Sequence, residues 1–367
     1  MSSMSNQEIS PQTPVRRQIN WFVLMFLAFH VPLFVYPVLR LSVWLSLPLW
    51  LTLMILIPLV SSQIVARFWL RGSLKKLAVV YRKTADFWLG MSPVLLMLML
   101  VFEFVLLVTG IAPHIAALWV VTLTTLISFI GLIVAISPRV KTISLTSSRL
   151  QAPVRFVQIT DVHIGSRSQS FLERLMFRIN RLHPDFLCIT GDFIDAPGIT
   201  EDQLQSLARA DYPIYFCIGN HEKYEDLEDI LQRLDNLGVK ILRSDTLHFR
   251  KDIQIIGIDD MEDPLQVEKE LKHIALDAGA FKLLLYHRPR GLEAAAEHGI
   301  DLILSGHTHN GQIFPFNLIV KRVFERIIGM YSLGETRQYV SQGTGTWGPV
   351  MRLGTYSEIT LFEYDPE

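Results

Sequence analysis

Five short groups of Asp, Asn and His residues stand at the ends of apolar runs in the second half of this 367-residue chain. Carboxylate and amide oxygens mixed with imidazole nitrogens, with no thiolate among them, are typical ligands of Mn²⁺, Fe or Zn²⁺. Each group alone is common, but the five in succession predict a metal centre, because a buried cluster of unpaired ligands would otherwise be costly. The groups are Asp161-Val162-His163, Gly191-Asp192, Gly219-Asn220-His221-Glu222, Tyr286-His287 and Gly306-His307-Thr308-His309.

Strands that alternate with helices are predicted to position these groups. Amphipathic segments after Ser170, from Leu227 to Leu237, and from about Pro264 to Asp277 predict helices. The alternation predicts an α/β domain over residues 153–367. Ligands bind at the carboxyl ends of strands in open α/β sheets, so the five groups are expected to meet. The predicted strands are 154–160, 186–190, 214–218, 253–258, 282–286 and 301–304.

The first 150 residues have a different composition, with twelve basic and three acidic side chains and a net charge of +9. The rest of the chain holds 22 basic and 32 acidic side chains and carries −10. Four apolar stretches in the first part are each close to the roughly 20 residues that cross a bilayer as a helix. We therefore predict a four-helix transmembrane region. The predicted organisation is a tail at 1–18, an anchor at 19–138 with spans at about 20–39, 42–65, 87–111 and 115–137, and a linker at 139–152.

Basic residues predict the orientation of these spans. The loop from 66 to 86 carries six, the tail carries Arg16 and Arg17, and the segment after the fourth span carries three, whereas the opposite loops carry only Arg40. This distribution predicts a multi-pass protein of the inner (plasma) membrane with its large domain in the cytoplasm. The pair Arg16-Arg17 leaves open a twin-arginine export signal. Glu103 lies within the third span, where we predict a hydrogen-bonded carboxyl without an ionisable membrane partner.

In their order, the five groups resemble the pattern of the calcineurin-like metallophosphoesterase superfamily, which is D-x-H, G-D, G-N-H-[DE], H and G-H-x-H. The resemblance covers about residues 153–364. The stretches GHTHNGQ, VSQGTGTWGPVMRLG and EITLF are similar to bacterial membrane-associated phosphoesterases of the YkuE/YaeI kind. That branch has glycine where this chain has Asn310. Asparagine tolerates left-handed backbone better than most residues, so the turn is expected to form.

The resemblance implies a two-sheet α/β/β/α sandwich that binds two divalent ions. A hydroxide bridging the two ions would attack phosphorus, His221 would donate a proton to the leaving oxygen, and Asp195 would orient His221. Arg352 and Asn310 are candidate substrate-binding residues. One ion would be held by Asp161, His163, Asp192 and His309, and the other by Asp192, Asn220, His287 and His307, with Asp192 bridging.

One departure from the superfamily bears on the substrate. Its serine/threonine phosphatases have Asp-Arg where this chain has Asp195-Ala196, and the arginine would clamp a phosphate through two hydrogen bonds. Its absence argues against phosphoprotein substrates. The expected function is hydrolysis of a phosphodiester, pyrophosphate or phosphomonoester at a lipid bilayer. The expected substrate is a phosphorylated small molecule or a lipid-linked phosphate, and no nucleic acid partner is expected.

Two other classes of protein compete with this prediction. A membrane receptor or scaffold with a non-catalytic domain would have lost metal ligands, and none is missing from the pattern. A transporter would need a polar path that one membrane carboxylate does not provide. Residues 313–333 combine apolar and basic positions at helical spacing, which is typical of a segment in the membrane interface. The same pattern is also typical of a helix packed on the sandwich.

Overall fold

The computed structural model describes residues 28–70 and 76–367. Its N-terminal part consists of helices α1 (Ala28–Trp44), α2 (Leu49–Trp69), α3 (Lys76–Thr109) and α4 (Pro113–Ile136). Over the described residues, α2, α3 and α4 are long and apolar enough to cross a membrane, whereas α1 is shorter. The predicted first span begins outside the described residues. The structure therefore supports the second, third and fourth predicted spans, and the first span stays a prediction.

The turn between α1 and α2 corrects the predicted span boundaries. It lies at residues 45–48 instead of 40–41, and α2 begins after Pro48, whose backbone is extended. Arg40 therefore lies inside α1, where its Nη2 donates to Oε2 of Glu103 at 2.8 Å. The expectation that Glu103 has no ionisable membrane partner was wrong, and the ion pair lowers the cost of a carboxylate at that depth.

Residues 139–367, all of which the structure describes, form two six-stranded sheets. Six of their twelve strands correspond to the six predicted strands, each with bounds within one residue. The first sheet has the order β1 (Arg139–Ser147), β12 (Glu358–Pro366), β2 (Val154–Ile159), β3 (Phe186–Thr190), β4 (Ile214–Cys217) and β5 (Lys240–Ile241). The second has the order β10 (Gly329–Leu333), β11 (Thr336–Val340), β9 (Leu302–Ser305), β8 (Phe281–Tyr286), β7 (Ile253–Ile258) and β6 (Asp245–Arg250).

Apolar side chains fill the space between the sheets and cover both outer faces. Between the sheets, the ring of Phe156 stacks on those of Phe186 and Phe362 at 4.8 and 4.9 Å. Helices α5 (Gln169–Asn180) and α7 (Leu227–Asn236) pack on the first sheet, and α8 (Gln266–Leu271) and α9 (Leu292–Glu297) pack on the second. The predicted two-sheet sandwich is therefore confirmed, although α8 is shorter than predicted. The remaining helices are α6 (Glu201–Leu204) and α10 (Phe316–Val323).

The segment predicted as a linker at 139–152 is instead mostly strand β1. It pairs in parallel with β12 along its whole length, from Arg139 opposite Glu358 to Ser147 opposite Pro366. Its partner is more than 200 residues away, and its edge position leaves many side chains partly exposed, so the local pattern did not indicate a strand. Because α4 ends at Ile136, the membrane segment joins the sheet with almost no intervening chain.

The segment 347–353 also packs directly on the membrane helices. The N–H of Arg352 donates to the carbonyl of Gly131 in α4 at 3.0 Å. A Cβ atom on Gly131 would lie 2.7 Å from Cγ of Met351, and one on Gly90 in α3 would lie 3.0 Å from Cβ of Pro349. Glycines on α3 and α4 therefore allow the C-terminal half of the chain to approach the membrane helices closely.

Candidate metal centre

The predicted ligands meet where the carboxyl ends of β2, β3, β4, β8 and β9 converge. Most of their side chains are almost completely removed from solvent. Five of them have a positive φ between 48° and 72°, a conformation that residues other than glycine rarely adopt. Such strained backbone clusters at functional sites, where it directs side chains inward. These five residues are Asp161, His163, Asp192, His307 and His309.

Asp161, His163 and His309 form the first group of ligand atoms. Nε2 of His163 lies 3.2 Å from Nε2 of His309, which lies 3.4 Å from Oδ1 of Asp161. Bonds of about 2.0–2.1 Å from one ion to its ligands place neighbouring ligand atoms roughly 3.0–3.4 Å apart. The three side chains therefore fit around a single divalent ion.

Asp192, His287 and His307 form the second group. Nε2 of His287 lies 3.1 Å from Oδ2 of Asp192 and 3.1 Å from Nδ1 of His307. Oδ1 of the nearby Asn220 is buried and accepts no hydrogen bond from the described chain. A buried acceptor without a donor is costly, and a cation would satisfy it. Asp192 also lies within ligand distance of His163, which belongs to the first group, as its predicted bridging role requires.

Surrounding groups fix the directions of these ligands. The carbonyl of Thr190 lies 2.9 Å from Nδ1 of His287, so Nε2 of that ring points at the other ligands. Burial lowers the pKa of His287, but the carboxylates of Asp192 and Asp161 outweigh it and raise this pKa to about 10. Burial and the neighbouring His287 lower the pKa of His307 to about 3. The carboxylates therefore favour positive charge in this buried site. A divalent ion would supply that charge.

Glu222 is a functional residue to which the sequence analysis gave no role. Its carboxylate is fully buried and accepts four backbone N–H groups. Burial, followed by the charge of Asp192, raises its pKa to about 7. The carboxylate ties the loop after β3 to the loop after β4, and these loops carry Asp192 and Asn220. The acidic fourth position of the G-N-H-[DE] pattern was the available signal. The four donors are Asp192 at 3.0 Å, Phe193 at 2.6 Å, Ile194 at 3.0 Å and Gly219 at 2.9 Å.

Glu222→Gln is expected to destabilise the metal-free protein by about 3 kcal/mol, because an amide cannot accept from all four donors. For a domain of this size, that corresponds to a fall in melting temperature of roughly 6 to 12 °C. The control is Glu228→Gln, at an exposed position of α7. Thermal unfolding of both variants, measured after chelation, checks the effect separately from metal binding. Equal melting temperatures for the two variants would contradict this role.

Asp195 lies against His163 instead of the predicted His221. Its Oδ2 is 3.3 Å from Nδ1 of His163 and accepts from Oγ of Ser166 at 2.6 Å. The reason is a bridge between Ile194 and Ile164, which aligns the two loops and places Asp195 beside residues 163–166. Asp195 therefore orients a ligand of the first group, as carboxylates commonly do for metal-binding histidines.

His221 lies at the edge of the ligand cluster and lines a cavity of about 440 Å³. Its ring centroid is 4.8 Å from that of His163 and 5.5 Å from that of Tyr224. Its backbone N–H donates to Oδ1 of Asp192 at 2.8 Å, which fixes the loop that carries it. A side chain beside the ligands and open to a cavity can reach a bound substrate, and its role as proton donor stays a prediction.

The two candidate substrate-binding residues have different outcomes. Arg352 is 1% exposed, and its guanidinium donates to backbone carbonyls that include Gln342 at 2.7 Å and Gly345 at 2.9 Å. It holds the loops beneath the site together and is not available to substrate, so that prediction was wrong. Asn310 has φ 49° and ψ 33°, which confirms its expected left-handed conformation. Its contact with substrate stays a prediction.

Comparison with known proteins identifies the family. Residues 154–311 match the family model described as calcineurin-like phosphoesterase. A protein of Aquifex aeolicus named as an uncharacterized metallophosphoesterase is 31% identical over 224 residues, which are 57% of this chain and 84% of that protein. The chain therefore belongs to the calcineurin-like phosphoesterase family, as predicted from the five ligand groups.

Two other similar proteins are also named as metallophosphoesterases, and one of them is named as a transmembrane protein. A Campylobacter jejuni protein, named as an uncharacterized metallophosphoesterase, is 34% identical over 235 residues, 61% of this chain and 63% of that protein. A Danio rerio protein, named as a transmembrane protein with metallophosphoesterase domain, is 31% identical over 270 residues, 65% of this chain and 60% of that protein. The chain thus spans less than two thirds of the length of these two relatives. The narrower resemblance to YkuE/YaeI-type proteins stays a prediction.

Proposed function

We propose that this protein is a membrane-anchored phosphoesterase that uses two divalent ions, Mn, Fe or Zn, to hydrolyse a phosphodiester, pyrophosphate or phosphomonoester. The observation that carries the proposal is the pair of ligand groups that share Asp192 at the carboxyl ends of the strands. All seven predicted ligands are present, which favours an enzyme over a receptor or scaffold with a non-catalytic domain.

The side chains have distinct tasks in this proposal. Asp161, His163 and His309 hold one ion, and Asn220, His287 and His307 hold the other, with Asp192 shared. When bound, the ions lower the pKa of water and neutralise charge on phosphoryl oxygens. After the water gives one proton to solvent, its oxygen bonds to phosphorus, the bond from phosphorus to the leaving oxygen breaks, and His221 gives that oxygen a proton. Asp195 keeps His163 in place.

The proposed orientation places the catalytic half in the cytoplasm. The basic residues Arg67, Arg82 and Lys83 line the same cavity as His221, so they lie on the catalytic side of the membrane helices. Arg139 and Lys141 follow on that side in β1. An excess of basic residues marks the cytoplasmic side of membrane proteins. The competing export signal, Arg16-Arg17, lies outside the described residues.

The exposed side chains of helix α10 support the proposal that the substrate resides in the bilayer. The helix occupies only residues 316–323 of the segment predicted at 313–333, which continues into β10. Leu318 is 53% exposed and Ile319 is 51% exposed, and Lys321 and Arg322 follow them. Apolar and basic side chains together suit the membrane interface.

The start of α10 is also near the membrane helices. Ile313 pairs with Leu353, and the preceding residues Met351 and Arg352 contact Gly131 of α4. The end of the helix is near the metal centre, because the ring of Phe324 packs edge-on against His307 at 5.4 Å. We propose that α10 rests on the bilayer and seats the active site at the lipid surface.

The test is hydrolysis by protein in phosphatidylcholine vesicles, with soluble and lipid-borne members of the three ester classes. At least one class is expected to be hydrolysed, with activity lost on chelation and restored by Mn²⁺, Fe²⁺ or Zn²⁺. Leu318→Ser with Ile319→Ser is expected to lower lipid hydrolysis about tenfold, because two apolar side chains no longer enter the interface. Soluble substrates should be hydrolysed as before.

The control for this variant is Leu247→Ser, which changes an exposed leucine on β6. It should leave lipid hydrolysis unchanged. Phe324 is not a suitable position for this experiment, because its ring contacts the ligand His307. If the α10 variant loses both activities together with thermal stability, α10 is part of the folded core and does not bind the bilayer. If no ester class is hydrolysed with any metal, the proposed function is wrong.

A further inference from the structure

The cavity of about 440 Å³ beside His221 is built from both halves of the chain. The catalytic half contributes His221, Asp195 and Ala196, whereas α2 contributes residues 66–68 and α3 contributes Val79, Arg82, Lys83 and Asp86. A volume of this size is within the range of small-molecule sites. It provides room for a group in addition to the phosphate at the metal centre.

Among residues 28–70 and 76–367, the lysines and arginines that line this cavity all come from the membrane helices. They are Arg67 at the end of α2 and Arg82 and Lys83 in the first turns of α3. The catalytic half lines the cavity with Ala196 and Pro197. Ala196 stands where the serine/threonine phosphatases of the superfamily have the arginine that would clamp a phosphate. Among the described residues, any lysine or arginine contact to a ligand in the cavity is therefore made by the membrane segment.

Lys83 is the cation best placed to bind an added anion. Arg67 donates to Oδ1 of Asp86 at 2.8 Å, and Arg82 donates to the carbonyl of Leu70 at 2.5 Å. Lys83 is exposed and forms no ion pair with residues 28–70 or 76–367. Its ammonium group carries three donors that a phosphate oxygen can accept.

The acidic side chains that line the cavity do not prevent Lys83 from binding an anion. They are Asp86, Asp195 and Glu225. Asp86 is paired with Arg67, and Asp195 accepts hydrogen bonds from Ser166 beside the metal centre. Glu225 lies on the loop after Tyr224. Because His221 and Lys83 line the same cavity, an anionic ligand group in it would lie between the metal centre and Lys83.

We propose that α2 and α3 form an anion subsite, in which Lys83 and Arg67 bind a second anionic group of the substrate. Given the proposed function, on which this inference rests for the first phosphate, the substrate is a diphosphate or a phosphate ester with an adjacent anionic group. The apolar residues Phe68, Val79 and Val350 also line the cavity and suit an attached lipid chain.

The experiment measures binding, so it does not depend on turnover. The full chain, loaded with Mn²⁺ in phosphatidylcholine nanodiscs, is titrated calorimetrically with methylenediphosphonate and with methylphosphonate. The wild type is expected to prefer the diphosphonate. Lys83→Gln should reduce this preference about tenfold, since it removes a charged hydrogen-bond donor. Lys83→Glu should reduce it further.

The matched control is Lys76→Gln, which removes the same charge from α3 at a position outside the cavity lining. It should keep the wild-type preference. If Lys83→Gln also keeps it, or if Lys76→Gln reduces it equally, the subsite does not exist. Hydrolysis of a soluble diester is measured in parallel. A protein that shows the Lys83 effect without hydrolysing any ester contradicts the proposed function and leaves the subsite supported.

A further arm separates lipid-borne from soluble diphosphates. The farnesyl and methyl esters of methylenediphosphonate are compared in the same nanodiscs. Tighter binding of the farnesyl ester, reduced by Lys83→Gln, supports a lipid-borne substrate in this subsite. Equal binding of the two esters, with the same Lys83 effect, supports a soluble diphosphate there. Binding of either ester that is independent of Lys83 overturns the proposal.

Discussion

Asp192→Asn is expected to lower hydrolysis by about three orders of magnitude, because breaking a buried ion pair costs roughly 3–5 kcal/mol. Its carboxylate lies 3.1 Å from Nε2 of His287 and is also within ligand distance of His163. One charge therefore serves both ligand groups, and an amide would weaken both ions. Metal content, measured by mass spectrometry after dialysis, should fall well below that of the wild type.

The control is Asp252→Asn, which removes another buried carboxylate, one that accepts from Arg250 in the turn between β6 and β7. It should lower stability while metal content remains at the wild-type value. If Asp192→Asn keeps both metal content and activity, Asp192 does not bridge two ions, and the two ligand groups are not one dinuclear site.

His221→Ala is expected to reduce turnover by about 10²–10⁴-fold, the usual contribution of a general acid, without loss of metal. The reduction should be smaller for a nitrophenyl ester than for an alkyl ester, because nitrophenolate leaves with little need for a proton. This dependence on the leaving group separates a proton donor from a residue that only supports the fold. Turnover numbers of both esters and metal content are the measurements.

The control for this variant is His248→Ala, at an exposed position that pairs with Asp277. It should behave as the wild type. His221 lies within ligand distance of His163 and Asp192, so a ligand role is the competing assignment. Loss of metal from His221→Ala as severe as that from Asp192→Asn would make His221 a ligand and leave the proton donor unidentified.

The strands that position the metal centre could be predicted because they are short apolar runs, buried on both faces. The ligands could be predicted because they follow those strands directly. Strand β1 could not be predicted, because it is an edge strand whose partner β12 lies at the other end of the chain. The pairing of Arg40 with Glu103 was missed because the end of the first apolar helix was placed at residue 39, five residues before its end at Trp44.

The partners of individual side chains in the loops were also beyond sequence analysis. Asp195, Glu222 and Arg352 lie outside the strands and α-helices, where no periodicity indicates the direction of a side chain. The contact between Met351 and Gly131 depends on how the two halves of the chain fit together. The five motifs and their order along the chain predicted the ligand set. The interactions that fix the directions of the ligands could be seen only in the three-dimensional structure.

The most direct test of the proposed dinuclear phosphoesterase is metal titration of the chelated full-length protein in vesicles. Bound metal and hydrolysis of bis(4-nitrophenyl) phosphate are followed together as Mn²⁺, Fe²⁺ or Zn²⁺ is added. The two ligand groups predict that hydrolysis appears as binding approaches about two ions per chain. Asp192→Asn is expected to reach neither this metal content nor this hydrolysis. Full hydrolysis without metal, or saturation at two ions with no hydrolysis of any ester class, would contradict the proposal.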